Sequence, residues 1–165
     1  MKNLHATLAL AALSTFCVAT TSAVAAEGEP LVGARVKPGF VQGDVAPDKR
    51  YDQLTEDERV AVKSRYEEMA PADEPPFPID GQGAMSRAIV EAAKATRPHG
   101  ALEIAAQVDA DGVVRNVQIL KASDNPRFTQ AVTRILMQTR WKPAVCAGQP
   151  CAMWYPTRFE SIRRN

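Results

Sequence analysis

The chain is short of the residues that most catalysis draws on. Of its 165 residues, two are histidine, three are cysteine and 6% are aromatic. It contains no GxSxG elbow, no HExxH pair and no phosphate-cradling glycine loop. Charge of one sign is also missing. Twenty basic residues stand against 19 acidic ones, a formal charge of +1. A mixed, near-neutral chain carries no electrostatic footprint for nucleic acid or for an anionic membrane. Few aromatics and 12 prolines point to a small folded domain joined to less regular sequence. A core that small usually has help from a cross-link or a partner.

What is present begins with an export pattern. Lys2 gives a positive n-region, Leu4 to Val18 an apolar run, and Ala23-Val24-Ala25 a small-x-small cleavage site. Residues 1–25 read as a signal peptide, with the mature chain starting at Ala26 or Glu27. The alternative is an uncleaved inner-membrane anchor, because no charged residue lies between Lys2 and Glu27. Its richness in Ala, Thr and Ser favours cleavage. Cys17 follows Phe16, a poor setting for a lipid-acceptor cysteine. Loss of Lys2 with this segment leaves equal numbers of basic and acidic side chains.

Cleavage would leave two cysteines, Cys146 and Cys151, around Ala-Gly-Gln-Pro. In an exported protein this pair reads as a disulfide. A metal or redox pair is the competing reading, but CxxxxC is not the CxxC redox motif, and no ligand partners lie nearby. His99, the one histidine outside the signal segment, sits beside Gly100 in a loop and reads as an ordinary loop residue. Asp109 and Asp111 flank a turn and lack the remaining ligands of a calcium loop. No catalytic set, cofactor site or metal site emerges.

Along the chain, residues 26–54 read as an irregular leader rich in Gly and Pro. Thr55-Glu56-Asp57-Glu58 is a capping box opening a helix over Glu56–Met69, on or projecting from the domain surface. Residues 71–80, with Pro71, Pro75, Pro76 and Pro78, read as an extended, stiff connector. A second helix is expected over Gln82–Thr96, with Met85, Ile89, Ala92 and Ala93 on one face.

Leu102, Ile104, Ala106 and Val108 alternate with Glu103, Ala105, Gln107 and Asp109, the pattern of a half-buried strand. Asp109-Ala110-Asp111-Gly112 is a turn, and Val113 to Lys121 returns as a second strand. Val114, Val117 and Ile119 break parity, which predicts a bulge near Arg115-Asn116. Asp124 or Asn125 caps a third helix with Pro126 in its first turn. Phe128, Ala131, Val132, Ile135, Leu136 and Thr139 form its apolar stripe. Trp141 to Val145 enters a cysteine-bridged hairpin, and Met153 to Phe159 is the last strand. Residues 161–165 form a frayed tail.

In order and spacing, these residues resemble the C-terminal domain of the TonB family. The resemblance runs from Pro75-Pro76-Phe77-Pro78 through Gly100-x-Leu-x-Ile and Val108-Asp109-x-Asp111-Gly112-x-Val114. It continues through Val117-x-Ile-Leu-Lys-x-Ser, the helix Phe128 to Leu136, Trp141-x-Pro143-Ala144, Gly148-x-Pro150 and Phe159. It implies an α+β domain over about 81–160, a β-β-α-β unit whose three-stranded antiparallel sheet is packed by helix; the chain adds N-terminal helices, of which Glu56–Met69 is an addition to the family pattern, as is the cysteine-bridged hairpin. It also implies a non-catalytic periplasmic module that grips the periplasmic peptide of an outer-membrane transporter, or another envelope protein, by strand addition. In the family the last strand makes this contact, which points to Trp154, Tyr155 and Arg158. Full transducers also have a membrane anchor with a motor-coupling histidine and a long proline spacer. This chain shows neither, and its proline cluster is far too short to span a periplasm at about 3 Å per residue. A short anchored transducer and a scaffold module without transporter binding are the alternative roles.

Overall fold

The computed structural model describes residues 33–37 and 45–161. The signal-peptide segment, the start of the leader and the tail beyond Ser161 lie outside the described residues. In chain order the elements are α1 (Glu56–Lys63), β1 (Phe77–Pro78), α2 (Gly83–Thr96), β2 (Gly100–Val108), β3 (Val114–Lys121), α3 (Pro126–Gln138), β4 (Trp141–Lys142), β5 (Ala144–Cys146), β6 (Gln149–Cys151) and β7 (Met153–Ser161). A single 3-10 turn, Tyr51–Gln53, precedes them.

The main sheet has three antiparallel strands in the order β3-β2-β7, the expected α+β arrangement. β2 and β7 pair without interruption from Gly100↔Ser161 to Val108↔Met153. β3 pairs with β2 less evenly. Gln107 opposes Asn116 while Val108 opposes Val114, so Arg115 is the bulged residue that the broken parity predicts. A second irregularity falls at Leu120, where Glu103 opposes Lys121 and Ile104 opposes Ile119. At the intervening turn Gly112 takes φ +78°, and a Cβ there would collide with the Trp141 carbonyl. Only glycine meets both demands.

α2 and α3 cover one face of the sheet. The apolar parity of β2 (Leu102, Ile104, Ala106, Val108) meets Met85 and Ile89 of α2 and Phe128, Val132 and Leu136 of α3. Each large apolar side chain buried this way stabilises the fold by about 1.5–3 kcal/mol. Ring packing adds geometry: Phe128 to Phe159 at 4.9 Å and Trp141 to Tyr155 at 4.6 Å between centroids. Asn125 is the α3 cap, accepting from the Arg127 N–H at 3.0 Å, while Asp124 accepts the His99 N–H at 2.7 Å.

Three expectations change. The helix from Glu56 stops at Lys63 rather than Met69. Its capping box forms, with Thr55 and Glu58 exchanging bonds. Beyond it, however, the backbone at Arg65–Glu67 bonds to residues 35 and 37, and chain committed to that pairing cannot continue helical bonding. Of the two placements expected for it, on the domain surface or projecting from it, the structure gives the first: α1 is mostly exposed, with Val62 turned inward, and Arg65 and Tyr66 just beyond it are buried. The proline connector packs closely, with Pro75 to Pro78 buried and β1 paired to β4. The end of the leader is likewise folded, with Tyr51 and Leu54 in a small cluster with Val62 and Phe77.

Candidate binding edges

An open three-stranded sheet leaves two outer strands whose backbone groups are bonded on one side only. Here these are β7 and β3.

β7 is largely inside the molecule. Met153 packs with Tyr66, Ala144 and Cys151, with Ala34 and Val36 against them, and Gly33 approaches Met153 so closely that a Cβ would strike its side chain. Tyr155 is fully buried, and its hydroxyl accepts from Gln82 Nε2 at 3.0 Å. Burial holds the phenols of Tyr155 and Tyr66 above their ordinary pKa, so both stay neutral. Thr157 is also buried. From Arg158 onward the strand emerges.

Of the expected contact residues, the structure turns Tyr155 into the core, where it cannot touch a partner directly. Its parity with Met153 signals this. Trp154 and Arg158 are half-buried on the opposite face, across from Gln107 and Glu103. Arg158 pairs with Glu103 at 3.2 Å and Glu160 at 3.1 Å. A groove of about 110 Å³ separates this end of β7 from α2, lined by Ile89, Val90, Thr157 and Phe159 among others.

Arg65 was not singled out from the sequence, yet it is the largest fully buried side chain, 1% exposed. It stands near enough to Tyr155 to act on its hydroxyl, but none of its guanidinium nitrogens has hydrogen-bond geometry to a partner. Nothing in the local pattern around Arg65 marks it as interior. Its burial follows from the pairing of residues 65–67 with 35–37.

Cys146 and Cys151 form a disulfide with Cα atoms 5.8 Å apart, closing the β5–β6 hairpin that feeds β7. Asp109 and Asp111 both engage Arg115, at 2.7 and 2.6 Å, and Asp111 accepts the Val113 N–H. They act as turn residues. His99 is an exposed loop residue. Among the described residues no cluster of three metal-ligating side chains occurs, and no helix is long and apolar enough to cross a membrane.

Residues 91–161 match the family model described as Gram-negative bacterial TonB protein C-terminal. Among solved structures, the solution NMR structure of the Pseudomonas aeruginosa TonB C-terminal domain aligns with a TM-score of 0.34 and 22% identity, covering 46% of this chain and 77% of that one. The curated proteins contain no match. The family match thus makes residues 91–161, from within α2 to the end of β7, similar to the C-terminal domain of TonB proteins.

Proposed function

We propose that this chain is a periplasmic binding module that captures an extended peptide along β7, with the periplasmic segment of an outer-membrane transporter as the partner. In this reading residues 1–25 direct export, residues 81–160 form the binding domain and residues 55–80 are its N-terminal extension. The observation that carries the reading is the open end of β7: a strand bonded on one side, emerging from the core beside a groove. A peptide laid there would bond to the backbone and point alternate side chains to two faces. One set would enter the groove beside Val90, which is 44% exposed. The other would meet Arg158 and Trp154. Pro156 has no N–H to offer, and an edge-strand proline turns that side away from the ladder. Capture therefore falls on the stretch after it.

A photo-crosslinking residue at Val90, carried by the full chain in cells, tests this. The expected product is a crosslink to the periplasmic segment of an outer-membrane transporter. Glu160→Pro, which removes an outward N–H on the exposed end of β7, should abolish it. A crosslink indifferent to Glu160→Pro, or no transporter product, defeats the reading.

A further inference from the structure

We propose that the opposite edge, β3, is a second strand-docking site, and that it takes an extended segment in which apolar and acidic residues alternate. The inference goes beyond capture at β7 and does not depend on it. β3 has no proline between Val114 and Lys121, so every residue on it carries an N–H. It also shows apolar side chains that the fold leaves uncovered. Ile119 is 48% exposed and Leu120 is 46% exposed, and Met137 on the neighbouring α3 is 58% exposed.

Two grooves adjoin β3, one on each face of the sheet. On the helix side a depression of about 310 Å³ lies between β3 and α3, lined by Ile119, Thr129, Thr133 and Met137 with Arg134. On the outer face a groove of about 380 Å³ runs across the sheet, lined by Leu120 of β3, Glu103 and Ala105 of β2 and Trp154 of β7, with Arg35 and Lys37. Side chains of a strand alternate between the two faces of its sheet. An added segment would place one parity against Ile119 and Met137 and the other on the outer face, which Leu120, Arg35 and Lys37 share.

Charge selects the occupant. Arg35, Lys37, Lys121 and Arg134 form no ion pair among the described residues, whereas the carboxylates of the β2–β3 turn and of the outer groove are engaged: Asp109 and Asp111 by Arg115, Glu103 by Arg158. The surroundings of β3 are therefore cationic, and the complement is a segment with carboxylates on the outer-face parity. A second copy pairing through its own β3 would bring like charges together, which disfavours it. Bulges at Arg115 and Leu120 are a known protection of free edges, but protection does not account for a groove on each side or for exposed Ile119 and Met137.

The test is an amide-shift titration of the ¹⁵N-labelled full chain with two synthetic heptapeptides, one alternating Val and Glu, the other Val and Lys. The Val–Glu peptide should shift Val114–Lys121, Thr133 and Met137. Charge reversal by Arg35→Glu with Lys37→Glu should weaken it about tenfold, as expected when two attractive charges become repulsive. Ile119→Lys, at an exposed position, should abolish binding while leaving the β2 and β7 shifts unchanged. Shifts confined to β7, equal binding of the Val–Lys peptide, no binding at millimolar peptide, or a concentration-dependent dimer through β3 would each overturn the proposal. Failure at Val90 would leave it standing.

Discussion

β7 and β3 flank the same central strand and are nearly equal in length, yet most of β7 is buried and most of β3 is not. The difference lies in chain far from either strand. Residues 33–37 and Tyr66 reach the start of β7 and bury Met153. Gln82 fixes Tyr155 from the side of α2, and the bridged hairpin delivers the chain into register. No comparable cover reaches the outward apolar residues of β3. Ile119 and Leu120, successive along the strand, point to opposite grooves. The exposure of an edge strand is thus set by what the rest of the chain lays beside it.

The largest test removes the cover from β7. Tyr66→Ala deletes a buried ring from the cluster holding Met153, and such a deletion costs about 3–5 kcal/mol. Chemical denaturation should read that loss. Hydrogen exchange should show amides of Met153–Thr157 losing protection while those of β3 change only by the global amount. Equal extra loss on both strands would mean that residues 33–37 and Tyr66 do not distinguish the two edges.

A smaller effect is expected from the hairpin. Replacing both Cys146 and Cys151 by serine should cost about 2 kcal/mol by the loop-closure argument. Locally the change should appear at the start of β7, because β6 ends at Cys151 and β7 begins at Met153. Enhanced exchange centred on β3 would contradict the role given to the bridge.

Much of this contrast could be read in the sequence, and the unread part has a physical cause. The stripe from Phe128 to Leu136 became α3, because helical spacing and burial depend on the same face. The capping box at Thr55 formed because its bonds are local. The parity break at Arg115 marked a real bulge. Local signals do not report that residues 65–67 pair with residues 35–37, and that pairing ends α1 early and buries Arg65. Nor do they show that Pro75 to Pro78 are buried, with Phe77 packed against Val62 of α1. Tyr155 shares parity with Met153 and Phe159, the core side. The family resemblance placed it at the contact edge, whereas its own alternation placed it inside. The alternation decided its position.

The mildest perturbation is acid, and it reaches β7 through Glu58. The Lys49 ammonium, then the backbone N–H groups of Thr55 and Ala46, hold the Glu58 carboxyl down from about 4.5 to about 2. These bonds tie residues 46–49 to the start of α1, and the same helix carries Val62 and leads into Tyr66. A carboxyl whose folded pKa is depressed contributes stability in full above its unfolded value, and that contribution is lost as pH falls through the folded value. Wild type should therefore exceed Glu58→Gln in melting temperature at pH 6, and the difference should shrink from about pH 4.5 and vanish near pH 2. Because the tie holds the segment that covers β7, exchange at Met153–Thr157 should rise over the same window before exchange at the β2–β3 pairing does. A melting difference that stays constant down to pH 2 would show that the Glu58 charge contributes nothing. A difference that shrinks with no selective change at β7 would confine its effect to α1.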